Sequence, residues 1–293
     1  MKLFITFDCL LIHYKPHLLG FIYKQKVMSR STYISENLTQ NHLDFIRFLD
    51  DEEVDIFSLK EIEKLTKGKV KNLNEVIENL VHKKVLSRIE RGKYCRSNFR
   101  DELVIGCRLA NDGIVSYWTA LNKHGLTEQF SNTIFIQTTK VKAGKIVFGV
   151  KYQFVKIASS KRAGIINEGY GNHRYQITDI EKTIVDCFDL PQYSGGYAEL
   201  IRAFNQTKLN AEKMIDYCNA IHNIAATKRM GYLAELLDKK GMKSFVRFAQ
   251  NQINLKYNLF DPKSGENGEF VNDWRLRLNI SKEEILDICN KQY

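Results

Sequence analysis

Proline is scarce in this chain, three in 293 residues, and no Pro/Gly/Ser-rich linker or internal repeat is visible in it. Its parts are therefore expected to be joined by short ordered connections rather than a long linker. The six cysteines (9, 95, 107, 187, 218, 289) form no Cys-x-x-Cys and have no His pair at metal spacing. That argues against a disulfide framework or a zinc site, and fits a reducing, cytoplasmic setting. No apolar run approaches the roughly 20 residues of a membrane span. The best candidate, Phe4 to Ile12, is broken by Asp8 and is not followed by a small-residue cleavage site, so no signal peptide and no membrane partner are expected. Also missing are a Gly-x-x-x-x-Gly-Lys phosphate loop, a Gly-x-Ser-x-Gly elbow and a His-Glu-x-x-His motif. No catalytic residue, cofactor or metal ligand is expected on that ground.

What the chain does have is positive charge, unevenly placed. Net charge is +10 with a pI near 9.2, and the apolar fraction of 44% is that of a folded protein. Length favours two domains. Positions 60 to 100 hold twelve Lys or Arg (60, 64, 67, 69, 71, 83, 84, 88, 91, 93, 96, 100) against five Glu (61, 63, 75, 78, 90), a balance of +7. Positions 101 to 293 hold 26 cations and 21 acids, only +5 in a far longer stretch. Asp44, Asp50, Asp51, Glu52, Glu53 and Asp55 lie just before the basic stretch. A positive face beside a negative one is what binding and orienting a phosphate backbone requires, and double-stranded DNA is the expected partner; a winged helix used only for protein contacts is the alternative.

The pattern within 58 to 96 gives that charge a shape. Ser58 is an N-cap ahead of Leu59, Ile62 and Leu65 at helical spacing, and Gly68 ends the helix. Leu73, Val76, Ile77, Leu80 and Val81 then form one apolar helix face opposite Asn72, Asn74, Glu75, Glu78, Asn79 and Lys83. Val85 to Glu90 alternates like a strand, turns at Arg91-Gly92 and returns through Lys93 to Arg96. With a helix at Leu38 to Leu49 this reads as a winged helix-turn-helix over 28–100, its second helix the recognition helix. Lys69, Lys71, Lys83, Arg88, Arg91 and Lys93 are assigned to phosphates, Asn72 and Asn74 to base edges, and Asn79 to the same face. Residues 1–27 match nothing that follows: they read as a loosely docked extension, or as upstream sequence with Met28 the true start.

A second domain is expected over 101–293, mixed α/β with a helical end, so that the whole is α+β. Asp101 to Ala110 and Ile114 to Leu121 read as helices, the latter ended by His124-Gly125. Thr133 to Thr138, Lys145 to Val150, Tyr152 to Ile157 and His173 to Ile177 read as strands. Thr178 and Glu181 form a capping box for a helix stopped by Pro191. Helices follow at 196–204, 211–221, 225–237 and 242–250, then a Gly-rich loop from Asp261 to Gly268. Asp179, Glu181, Lys182 and Asp186 share two helical turns and could suggest a metal-dependent nuclease; a cap with solvent-facing charges explains them as well. Tyr193 to Gly196 could cradle a phosphate or simply precede a helix. Lys228-Arg229 could bind an anion or a carboxylate, or be a solvated pair.

In this order, Val85 to Tyr94, Ser116 to Leu121 with His124-Gly125-Leu126, Thr178 to Asp186, Gly195-Gly196 and Lys228 to Leu233 resemble the AbiEi-type antitoxins of type IV abortive-infection toxin-antitoxin pairs. The likeness spans roughly 37 to 240. It implies a non-enzymatic transcriptional regulator, encoded beside a nucleotidyltransferase-like toxin, whose winged helix represses the shared promoter and whose C-terminal domain counters the toxin. Trp118, His124, Glu181, Asp186 and Arg229 are the motif positions of that domain. Two features depart from the family's pattern: the first 27 residues, and Glu75 and Glu78 on the recognition face. The alternatives are a winged-helix regulator whose second domain senses a small ligand, and a DNA-targeted nuclease.

Overall fold

In a computed structural model, residues 36–290 are described; the expected extension and the Met28 start lie outside them. Among the described residues the fold is mixed α/β, with eleven α-helices and three sheets.

The first unit runs α1 (Gln40–Asp51), β1 (Ile56–Ser58), α2 (Leu59–Thr66), α3 (Leu73–His82), β2 (Leu86–Glu90) and β3 (Lys93–Arg96). The strands form an antiparallel sheet in the order β1-β3-β2. Ser58 opens α2 through a full capping box: its hydroxyl accepts from Glu61 N–H at 3.3 Å, and the Glu61 carboxylate accepts from Ser58 N–H at 2.8 Å. The helix stops where Lys67 and Gly68 both turn to positive φ, 49° and 75°. Phe45, Leu49, Phe57, Ile62, Val76, Ile77, Leu80, Leu86 and Tyr94 close a core between the three helices and one face of the sheet. The other face is not free. Ile56, Ile89 and Cys95, with Phe99, pack on α4 (Glu102–Ala110) through Val104, Ile105 and Leu109.

A six-stranded sheet lies behind α4, ordered β6-β7-β5-β4-β9-β8: β4 is Ile114–Val115, β5 Thr133–Thr138, β6 Lys145–Val147, β7 Val150–Lys156, β8 Ile165–Glu168 and β9 Tyr175–Thr178. The expected helix over Ile114 to Leu121 is divided. Val115 pairs with both Ile136 and Ile177, joining the two halves of the sheet, and α5 (Tyr117–Lys123) starts only after Ser116 in extended backbone, with Tyr117 itself at φ 56°. The strand expected at Lys145 to Val150 ends at Val147, where Phe148 and Gly149 form the turn into β7.

The remaining helices, α6 (Ile180–Asp189), α7 (Tyr197–Gln206), α8 (Ala211–Ile221), α9 (Ile224–Leu236), α10 (Lys243–Asn251) and α11 (Lys282–Asn290), surround one large core that includes Phe188, Phe204, Met230, Phe245 and Trp274. Asp179, not Thr178, caps α6, its carboxylate accepting from Lys182 N–H at 2.9 Å. The Thr178 hydroxyl instead meets that of Thr183 at 2.7 Å. The loop expected from Asp261 to Gly268 joins β10 (Asn258–Leu259) to β11 (Glu269–Val271), and with β12 (Leu276–Leu278) these form a small three-stranded sheet. Gly231 of α9 lets this sheet approach, since a Cβ there would lie 2.5 Å from the Trp274 ring.

Candidate nucleic-acid interface

The nine positions assigned to DNA divide by burial and partner. Lys69, Lys71, Asn72, Asn74, Arg88 and Arg91 are exposed. They sit in the α2–α3 connection, on the first turn of α3, on β2 and at the hairpin turn. Lys60, Lys64, Lys67 and Lys84 are exposed with them, and none of these last four has an ion-pair partner among the described residues. Asn72 stands at the N-cap of α3 in left-handed backbone, φ 52°. The expected opposition of Glu78 to phosphate is removed locally, because Arg88 of β2 pairs with its carboxylate and the Tyr94 hydroxyl donates to the same oxygen at 3.2 Å. The Arg88 guanidinium lies over the Tyr94 ring.

Three of the nine are placed otherwise. Asn79 is 1% exposed, and its amide donates to the Glu75 carbonyl at 2.9 Å, so it faces the helix packing rather than a groove. Lys83 is half-buried, with its amine on the Glu36 carbonyl at 2.9 Å. Lys93 donates to the carbonyls of Arg108 and Leu109, both at 2.8 Å, where α4 ends and its dipole is negative. Burial pulls its pKa below the ordinary lysine value, against the pull of Glu90. Alternation along a strand could not reveal this, because it fixes which face a side chain takes but not what packs there. The acidic side is partly spent too: Arg96 holds Asp50 at 2.5 Å and lies 4.0 Å from Asp55.

Of the motif positions of the second domain, Glu181, Asp186 and Arg229 are buried, while Trp118 and His124 are half-buried. Trp118 donates from its indole to the Gln129 carbonyl at 3.2 Å, with Gly195 so close that a Cβ would sit 2.7 Å from the ring. His124 Nε2 meets the Thr178 carbonyl at 2.7 Å. Glu181 accepts from Asn210 N–H at 3.0 Å and lies 3.4 Å from the Lys213 amine. Lys182 and Asp186 form an ion pair whose side chains are 0% and 4% exposed, with Gln137 donating to the other Asp186 oxygen at 2.7 Å. Burial raises the Asp186 pKa against the opposing pull of Lys182. The solvent-facing reading of this helix is therefore corrected.

Arg229, for which a carboxylate partner is expected, donates from Nε to the Leu259 carbonyl at 2.9 Å. Lys228 is fully buried on the carbonyls of Lys256 (2.7 Å) and Arg275 (3.3 Å), and burial lowers its pKa to about 8. The pair is thus not solvated; it fastens β10 and β12 to α9. Trp118, Gly195, Gly196, Tyr197, Asp261 and Lys263 line a cleft of about 280 Å³. It does not gather Glu181 or Asp186, and among the described residues no group of three or more His, Cys, Asp or Glu could hold a metal ion. No described helix is long and apolar enough to cross a membrane.

No family model matches the chain, and no curated protein matches it. Among solved structures it is similar in fold to the crystal structure of the RV2827C protein from Mycobacterium tuberculosis. The TM-score is 0.59 at 13% identity, covering 89% of this chain and 98% of that one.

Proposed function

We propose that this protein is a winged-helix DNA-binding antitoxin that represses its own promoter and counters a nucleotidyltransferase-like toxin through its second domain, without catalysis. The observation that carries the DNA part is the row of exposed cations on α2, on the α2–α3 connection and at the hairpin turn, beside an α3 whose first turn offers Asn74 to solvent. In this reading β2 and β3 are the wing and α3 the recognition helix. The antitoxin part rests on the family resemblance.

Fluorescence anisotropy with a duplex from the chain's own promoter tests the first part. Affinity is expected to fall with log salt at about −0.9 per phosphate neutralised, and a scrambled duplex is expected to bind more weakly. A salt-independent interaction, or none with the promoter, overturns it. A ligand-sensing regulator is the second reading, favoured by the cleft at Trp118 and Gly195. The nuclease reading loses its support, because Asp186 is 3% exposed and both of its oxygens are engaged.

A further inference from the structure

Two surfaces carry charge of opposite sign that, among the described residues, is left largely unpaired. The first is the end of α1. Asp50, Asp51, Glu52 and Glu53 are consecutive exposed acids, placed where the helix dipole is negative and where the last turn holds no cation. Arg96 holds Asp50, but among the described residues no cation lies within 4 Å of the other three carboxylates. Glu53 also stands in left-handed backbone, φ 49°. Acids at this end of a helix cost stability in the isolated chain, so folding does not account for them.

The second surface is the outer face of the β10-β12-β11 sheet. Leu276 and Leu278 are buried in the core, which turns Arg277 between them outward, and its register partner Phe270 stands on the same face, 52% exposed. The Arg277 guanidinium lies over the Phe270 ring at 5.1 Å, that ring meets the Tyr257 ring at right angles, and Arg275 lies over Tyr257 at 5.2 Å. The Tyr257 hydroxyl accepts from Arg275 at 3.0 Å. Neither arginine has a carboxylate within 4 Å among the described residues. Arginines held on aromatic rings are what the centre of a protein interface uses. A phosphate backbone would call for a net positive field. Positions 254 to 281 instead hold four cations (256, 263, 275, 277) and four acids (261, 266, 269, 273), a balance of zero. The face therefore fits a few carboxylates at fixed positions.

We propose that the occupant is a second copy of this chain: the acidic end of α1 in one copy seats on the Arg275–Arg277 face of the other, and the reciprocal contact closes a twofold pair. The two surfaces belong to different cores, α1 supplying Phe45 and Leu49 to one and β12 supplying Leu276 and Leu278 to another, so two copies are needed to bring them together. None of the exposed cations assigned to DNA takes part, and the inference stands apart from that reading.

Sedimentation velocity on the full chain, over a range of concentration and salt, is the test. A dimer is expected that weakens as salt rises. The net charge of +10 alone would give the reverse, since screening lets like-charged copies approach. Arg275→Glu with Arg277→Glu is expected to weaken the dimer by more than about tenfold, and so is Asp51→Lys with Glu52→Lys on the other surface. All four changes in one chain return opposite charge to both contacts and are expected to restore the dimer, a result that misfolding cannot mimic. A wild type that is monomeric throughout overturns the proposal. So does a dimer that neither reversal weakens, or one that the combined variant fails to recover. A monomeric wild type that binds single-stranded RNA, and loses it with Arg275→Glu and Arg277→Glu, makes nucleic acid the occupant and overturns the second copy.

Discussion

Lys182 and Asp186 stand four residues apart on α6 and are shielded from solvent, with Gln137 completing the carboxylate's hydrogen bonds. A buried ion pair gains little over apolar side chains of the same volume, but either member left alone is an uncompensated buried charge. Asp186→Ala is therefore expected to destabilise the protein by about 3 to 5 kcal/mol, read by urea unfolding. The double change Lys182→Met, Asp186→Leu should recover most of that loss. A catalytic carboxylate would behave otherwise, losing an activity with little loss of stability. A single variant with an unchanged unfolding midpoint would remove the structural account of this pair. The same logic separates Lys228 from a surface anion site: its ammonium is consumed by the backbone carbonyls of Lys256 and Arg275, the second of which also accepts from Asn258 N–H.

Along α3, two asparagines that look alike in sequence have opposite roles. Asn74 is exposed on the first turn, while Asn79 is enclosed and bonded to the Glu75 carbonyl. Asn74→Ala is expected to weaken binding to the cognate duplex by about 1 to 3 kcal/mol, with little effect on random DNA and none on melting. Asn79→Ala is expected to lower the melting temperature and to leave the preference for the cognate site unchanged. The reverse pattern would mean that α3 is not the reading helix. The helices were legible because each rests on a local signal, as Ser58 with Glu61 at the start of α2 or the apolar stripe of α6. Two classes of feature were not. One is the short strand: Ile114–Val115 and Asn258–Leu259 are too brief for alternation to register, and they exist because distant strands pair with them. The other is the internal use of charge. Lys93, Lys182 and Lys228 read as surface cations and Arg229 as a carboxylate's partner, since no sequence rule says which carbonyl or carboxylate a long side chain will reach.

The two parts of the molecule share a core, and this changes how their labour can be divided in an experiment. Ile56, Ile89, Cys95 and Phe99 cover the α4 face that residues 101–293 alone would expose, so a truncation at 101 confounds loss of DNA binding with loss of packing. Lys93 is equally unsuitable as a probe of the wing, because its amine is bound to the carbonyls at the end of α4. Lys71 and Arg91 are exposed and, among the described residues, lack such ties. Lys71→Glu with Arg91→Glu in the full chain is therefore the cleaner variant: it places two negative charges against phosphate and leaves the shared core untouched. It is expected to lose promoter repression while protecting cells from a cognate toxin expressed from an independent promoter. Survival on induction is the measurement, with circular dichroism confirming the fold. The surface that counters the toxin would then lie away from the wing, in the second domain. If the folded variant protects no better than an empty vector, repression and protection use the same surface. The antitoxin reading with separable domains fails in that case, and a ligand-sensing regulator becomes the better account of the cleft at Trp118 and Gly195.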